Sequence, residues 1–319
     1  MKTVIQQLVY AIIQFPLIPL AIIGVGMIIY REHVVAKRLG VSPTTLGALG
    51  NKWLLHHFGT RSDPDTVAFC KVLPMASHHG LWAAFGGGIL SHRLVGYMPS
   101  IGSIPKPGTE NLTTFQNSKT MEFDRVLKEH VDGVEQVVVL GAGFDLRVSS
   151  STAGKSVRVF ELDLPEAQKL KLDALAASGI PHSWVTYIPV DFNADSWATK
   201  LCESGFDSSK PTLFLAESVM PYLSEAMVRK AIEQIAVLSA PGSVLAKDFF
   251  STEFVDGLKK MSKTLREQVC FSVGLSGDAR AQLQSFFESS GFELTRVVLY
   301  GEETKKARPF CAITTVIKA

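Results

Sequence analysis

Residues 3–30 contain no charged side chain. Charge is scarce throughout, at 19% of residues against 46% hydrophobic. That excludes a disordered or collagen-like chain, and 319 residues suffice for a sizeable core. Cysteine is scarce as well: Cys70, Cys202, Cys270 and Cys311 stand far apart, with no Cys-x-x-Cys. The spacing excludes a disulfide scaffold and a cysteine zinc site, and it fits four reduced thiols in a reducing compartment. The net charge of +2 provides no field for a polyanion, so nucleic acid is not an expected partner. Histidine almost vanishes after residue 130, where His182 alone remains of eight. His56-His57 and His78-His79 are adjacent pairs that do not share a helix face, so no metal site is expected.

What is present is unevenly spread. Residues 1–130 carry 12 Lys/Arg and 7 Asp/Glu; residues 131–319 carry 20 and 23. A helix over residues 3–30 would be about 40 Å long, more than a bilayer's hydrocarbon core. It is expected to anchor the chain as a single-pass membrane helix, and membrane helices tolerate kinks such as Pro16 and Pro19 would make. A cleaved signal peptide would have a shorter apolar core and a small-residue cleavage site. A buried soluble helix rarely stays uncharged for so long. Arg31, Lys37 and Arg38 follow the segment, with Glu32 among them, and place the rest of the chain in the cytosol by the positive-inside rule. The sequon Asn111-Leu112-Thr113 would be usable only on the lumenal side. Residues 1–39 thus read as anchor and basic flank, 40–117 as a helical or irregular connecting region, and 118–319 as the catalytic part. Within the connecting region, residues 81–90 are apolar but too short to span, and core packing is expected of them.

From residue 136 the pattern alternates strand and helix. Residues 137–140, 157–160, 184–190, 212–216 and 243–247 read as strands, with helices over 166–177, 224–239 and 279–289 and final strands over 292–300 and 310–317. This is an α/β chain with a largely parallel sheet covered on both faces. Ligands of such sheets bind at the carboxyl ends of the strands. Four successive strands end in polar signatures: Gly141 and Gly143, then Glu161 and Asp163, then Asp191, then Glu217. The glycines let backbone approach a ligand. An acid about 20 residues later suits ribose hydroxyls. Asp191 can accept from an adenine amino group, and Glu217 sits where the reacting end of the ligand would lie. A dinucleotide fingerprint would have a third glycine where Leu146 stands, so the pattern favours a nucleoside without a diphosphate, as in S-adenosylmethionine.

The stretch Gln136-Val-Val-Val-Leu-Gly-Ala-Gly-Phe-Asp145-Leu-Arg147 resembles the first motif of the leucine carboxyl methyltransferase family. Val159-Phe-Glu-Leu-Asp163-Leu-Pro-Glu166, Pro189-Val-Asp191-Phe192 and Lys210-Pro-Thr-Leu-Phe-Leu-Ala-Glu217-Ser-Val-Met-Pro-Tyr222-Leu-Ser224 resemble the motifs that follow, over residues 118–250. The resemblance implies a Rossmann-like class I methyltransferase sheet of seven strands with an antiparallel C-terminal hairpin. It implies S-adenosyl-L-methionine as cofactor, bound by Gly141, Asp163, Asp191, Phe192 and Glu217, and the strand-end pattern adds Gly143 and Glu161 to the expected cofactor contacts. Lys119, in Ser118-Lys-Thr-Met-Glu-Phe-Asp124, stands where the family has an arginine for the donor carboxylate. A lysine keeps the charge but loses the bidentate fork.

Methyl transfer from a sulfonium is an in-line displacement that chiefly needs alignment in a dry site. A carboxylate acceptor needs no general base, whereas an alcohol does. The histidine-poor catalytic part therefore favours an acidic acceptor oxygen on a small molecule or a protein, with Tyr222 nearest to it. The competing readings are a catalytically weak, membrane-bound donor-binding protein and a nicotinamide-dependent oxidoreductase, which Leu146 disfavours.

Overall fold

The computed structural model describes residues 2–111, 113–194, 196–261, 270–301 and 309–319. The middle residue of the 111–113 sequon lies outside them. The apolar N-terminal segment is one helix, α1 (Lys2–Tyr30), continuing through a wider turn (Arg31–Val35) into α2 (Ala36–Arg38). Three helices follow: α3 (Pro43–His57), α4 (Pro64–Val72) and α5 (His78–Val95). The first two start on side-chain caps followed by proline. The Ser42 hydroxyl accepts the Thr44 N–H (3.2 Å) and the Asp63 carboxylate accepts the Thr66 N–H (3.1 Å). Residues 81–90 therefore lie within a helix, and Gly96 in the left-handed region ends it.

After α6 (Phe115–His130) the sheet begins. Its strands are β1 (Gln136–Leu140), β2 (Arg158–Asp163), β3 (Val185–Pro189), β4 (Thr212–Ala216), β5 (Val244–Phe250), β6 (Phe292–Tyr300) and β7 (Cys311–Lys318). Between them run α7 (Arg147–Thr152), α8 (Pro165–Ser178), α9 (Trp197–Glu203), α10 (Glu225–Val237), α11 (Thr252–Met261) and α12 (Ala279–Gln284). The order is β3-β2-β1-β4-β5-β7-β6, with β7 antiparallel to both neighbours and the rest parallel. The expected seven-stranded sheet and closing antiparallel hairpin are both present.

Several elements depart from the sequence reading: β2 runs on past residue 160 to Asp163, and α7, α9 and α11 fall where no helix is expected. β5 runs on through Asp248 to Phe250, past a buried charge that the apolar pattern does not anticipate. α12 stops at Gln284, short of residue 289. Phe286 and Phe287 are both buried, and successive helix positions point about 100° apart, so the chain leaves the helix in tight turns that sink both rings.

Burial divides into three clusters. Phe160, Phe214, Ile232 and Phe249 fill one face of the sheet, and Phe123, Val137, Val159 and Leu213 fill the other. The third joins α3, α4 and α5 (Trp53, Leu54, Phe69, Leu81) to Phe144 after β1 and Leu175 of α8. The helices before residue 96 are thus welded to the carboxyl edge of the sheet, where they cover a cavity.

Candidate functional site

That cavity occupies about 800 Å³ over the carboxyl ends of β1 to β4. Its floor is the turn after β1. The Gly141 and Ala142 amides donate to the Leu162 carbonyl (2.9 and 3.1 Å), which pins the turn against β2. Gly141 has a φ of +67°, and a Cβ there would lie 2.8 Å from the Val219 methyl, so no other residue fits. Gly143, at φ +50°, faces Thr45 of α3.

Asp163 ends β2 and accepts the Gly143 N–H on one oxygen and the Leu164 N–H on the other (2.7 Å). Burial pushes its carboxyl above the usual range, and those amides with Lys171 only partly offset the rise. Glu161 is sealed differently. It is 2% exposed and paired with Lys171 at 2.5 Å, and the same ammonium donates to the Asp145 carbonyl at 2.6 Å. Asp191 follows β3 and accepts the Asn193 N–H (2.9 Å), with Phe192 beside it. Asp163, Asp191, Phe192 and Glu217 all line the cavity, as do Gly141, Gly143, Glu161 and Lys119.

The end near β4 and β5 is an alternating chain of charge. Lys52 of α3 pairs with Asp145 (2.7 Å), Asp145 with Arg147 (2.6 Å), Arg147 with Glu217 (2.7 Å), and Lys119 with both Glu217 (3.6 Å) and Asp248 (3.0 Å). Burial alone would raise the Glu217 carboxyl, but Arg147, Lys119 and Lys52 outweigh it and hold it below the usual range. Burial opposes the Lys119 charge, yet Asp248 and Glu217 outweigh it and raise its pKa. Ser218 has a φ of +59°, the only non-glycine positive value among the described residues. Asp248 holds it there, accepting its N–H at 2.9 Å, and Lys119 donates to its hydroxyl.

Lys119 therefore lines the cavity with its charge already shared between two carboxylates. Lys52, Arg147 and Asp248 were not among the expected site residues. Arg147 lay in plain view two positions after Asp145, and Asp248 announced itself as a charge inside a buried strand. Lys52 had no signal, because its partner is remote in sequence.

Beside this charge chain the cavity wall turns apolar, with the Lys119 ammonium 5.5 Å from the Phe250 ring centroid. Phe115, Phe250 and Phe254 form an aromatic corner, with ring centroids 5.3–5.9 Å apart along the series. Tyr222 lies at the rim and donates to the Thr44 hydroxyl (3.1 Å). No histidine lines the cavity among the described residues. His56 accepts the Asp63 N–H (2.9 Å) and His57 packs on Trp53 and Trp82. No three-residue metal cluster occurs among the described residues.

The donor set suits a nucleoside with a charged amino-acid tail: carboxylates at the ends of β2, β3 and β4, and a glycine turn between them. Residues 102–236 match the family model for leucine carboxyl methyltransferase. A provisionally named S-adenosyl-L-methionine-dependent methyltransferase of Mycobacterium marinum is 31% identical over 189 residues, covering 59% of this chain and 58% of that one. Another, from Mycolicibacterium paratuberculosis, is 31% identical over 197 residues, covering 61% and 59%. The chain thus spans under two thirds of the length of these two relatives. Among solved structures, magnesium protoporphyrin IX methyltransferase from Synechocystis superposes with a TM-score of 0.42 at 16% identity, over 66% of this chain and 90% of that one. Over residues 102–236 the chain is thus similar to the leucine carboxyl methyltransferase family.

Proposed function

We propose that the protein is an S-adenosyl-L-methionine-dependent methyltransferase that methylates a carboxylate or other acidic oxygen on an apolar acceptor, while attached to a membrane through α1 with its body on the cytosolic side. The observation that carries this is one cavity with carboxylates at its sheet edge and an aromatic corner beside Lys119, with no histidine along it among the described residues. S-adenosyl-L-methionine is the cofactor, and when bound it supplies an electrophilic methyl group on a sulfonium. Asp163 accepts hydrogen bonds from ribose hydroxyls, Asp191 from a nucleobase donor, and Glu217 from the ammonium of the amino-acid tail. The Gly141–Gly143 turn lets backbone close on the nucleoside. Phe115, Phe250 and Phe254 exclude water from the acceptor end, which strengthens every charge interaction inside. An acceptor that arrives ionised asks no proton transfer of the chain, which accords with a cavity lacking histidine.

Membrane attachment rests on α1, long and apolar enough for a span by length and composition. Its orientation is a separate inference.

The test is calorimetric titration with S-adenosylmethionine and with NAD, followed by labelled-methyl transfer to a panel of apolar carboxylic acids and alcohols. Binding of the first ligand only, with transfer to acids ahead of alcohols, is expected. Heat with NAD alone would overturn the reading. Donor binding without transfer to any acceptor would leave a binding protein.

A further inference from the structure

We infer that α1 lies lengthwise in one leaflet of a membrane, backed by α5, instead of crossing the bilayer. The inference rests on the membrane-attachment reading and concerns how that attachment is built.

The two helices are antiparallel and touch over most of their length. The Gln6 amide donates to the carbonyls of Val95 (2.8 Å) and Gly96 (3.1 Å), and Tyr10 stacks on Tyr97 with centroids 4.3 Å apart. A Cβ on Gly87 would lie 3.3 Å from Leu17, and one on Gly24 would lie 2.6 Å from the Gly80 carbonyl oxygen. Glycines thus allow the backbones to approach at the Gly24–Gly80 end and again midway along the pair. From Gln6 to Gly24 these contacts run about 27 Å along the axis.

The other side of α5 is occupied by the body of the protein. Trp82 meets Trp53 and His57 of α3 (5.3 and 4.7 Å), and His92 meets Phe58 (5.7 Å). The Thr60 hydroxyl donates to the Gly102 carbonyl (2.6 Å), and Asn117 of α6 donates to those of Ile101 and Ser103. The layers therefore run α1, α5, body, side by side. If α1 stood upright across a bilayer, Phe58, Thr60 and the irregular chain near Gly102 would sit at hydrocarbon depth. Gly102 itself is buried, but Ile104 and Lys106 of the same irregular stretch are exposed, and irregular backbone exposed to lipid is not tolerated there.

Laid flat, the same geometry is consistent. Leu8, Phe15, Ile22 and Ile29 recur every seven residues on the open side of α1 and are 52–78% exposed. In an interfacial helix the polar face looks to water. Here the protein replaces that face, since Gln6 and Gln14 turn toward α5. Leu90 and Leu94 of α5 extend the apolar surface beside the start of α1. Exposed cations stand near both ends, Lys37 and Arg38 at one and Arg93 at the other, placed for anionic headgroups. The occupant of the open face is thus a single leaflet.

The experiment places a spin label in the full chain at Leu8→Cys, Phe15→Cys, Ile22→Cys or Ile29→Cys, each with the exposed thiols removed by Cys202→Ser and Cys270→Ser. Vesicles of phosphatidylcholine and phosphatidylglycerol are floated, and label depth is read from relative accessibility to oxygen and a nickel chelate. A flat helix gives four depths within about 5 Å of one another, near the headgroup boundary. A profile deepest at Phe15 and shallower at Leu8 and Ile29 by about 10 Å or more would show a span and overturn the inference while leaving membrane attachment intact. Failure to float would overturn attachment itself. Labels that pair at close range, sheltered from both reagents, would show a second copy on this face and overturn the inference as well.

Discussion

Asp163 holds the Gly143 turn in place before any ligand arrives, since both of its oxygens already accept backbone N–H groups. A carboxylate oxygen has further lone pairs, so it can still take ribose hydroxyls. Asp163→Ala is expected to weaken donor binding by about 1–3 kcal/mol, because the hydroxyls are left unpaired in a closed site. An unchanged dissociation constant in a folded variant would remove Asp163 from the donor site. Asp248 carries a different burden. It is fully buried, neutralises Lys119 and fixes the left-handed Ser218. Asp248→Asn leaves Lys119 with only the more distant Glu217, and breaking one partner from a buried pair costs about 3–5 kcal/mol. Chemical denaturation should show the loss. Lys119→Met combined with Asp248→Asn should recover part of it, and a double variant no better than the single would mean that Ser218, not the lysine, is what Asp248 serves.

At the scale of elements, the strands at the heart of the sheet were legible and the helices that cover them were not. β1 and β4 are continuous apolar runs ending in glycines and in Glu217, and both strand type and site edge can be read from that. α3 and α4 carry weak periodicity, and what fixes them is contact with Phe144 and Leu175, residues far along the chain. The same remoteness hid Lys52. The strand expected over 243–247 stops short of Asp248, whose charge breaks the apolar pattern, yet Lys247 and Asp248 are both fully buried inside β5. The Lys247 side-chain nitrogen has no hydrogen-bond partner among the described residues and lies over the Phe249 ring at 3.2 Å. Burial lowers its pKa to about 7, far below its ordinary 10.5. Below pH 7 folded and unfolded chains both hold the proton, and the fold bears the whole penalty. Above it only the unfolded chain does, so stability should rise by about 1.4 kcal/mol per pH unit toward pH 10. Lys247→Met should therefore stabilise most below pH 7 and progressively less above it. Equal gains at pH 6 and pH 9 would mean that the aromatic rings accommodate the ammonium.

For the whole molecule, α1 has one face turned to the protein and one face left open. Ile28 and Val35 pack on the cluster that joins the N-terminal helices to the sheet, and Ala36 lies inside it. Its inner face closes on the glycines of α5, while its outer face is exposed over Leu8, Phe15 and Ile22. The two faces should therefore separate by experiment. Deleting residues 2–30 strips α5 of its partner, so the truncated chain should melt several degrees lower and aggregate, even though its most apolar segment is gone. Phe15→Ser together with Ile22→Ser touches only the open face. Substitutions at such exposed positions usually change stability by less than about 0.5 kcal/mol, so the melting temperature should hold while the protein moves from the membrane to the soluble fraction. A truncated chain as stable and monodisperse as the full one would show that α1 contributes nothing to the fold. Loss of melting temperature in the double serine variant would show instead that the outer face is packed against a second copy of the chain.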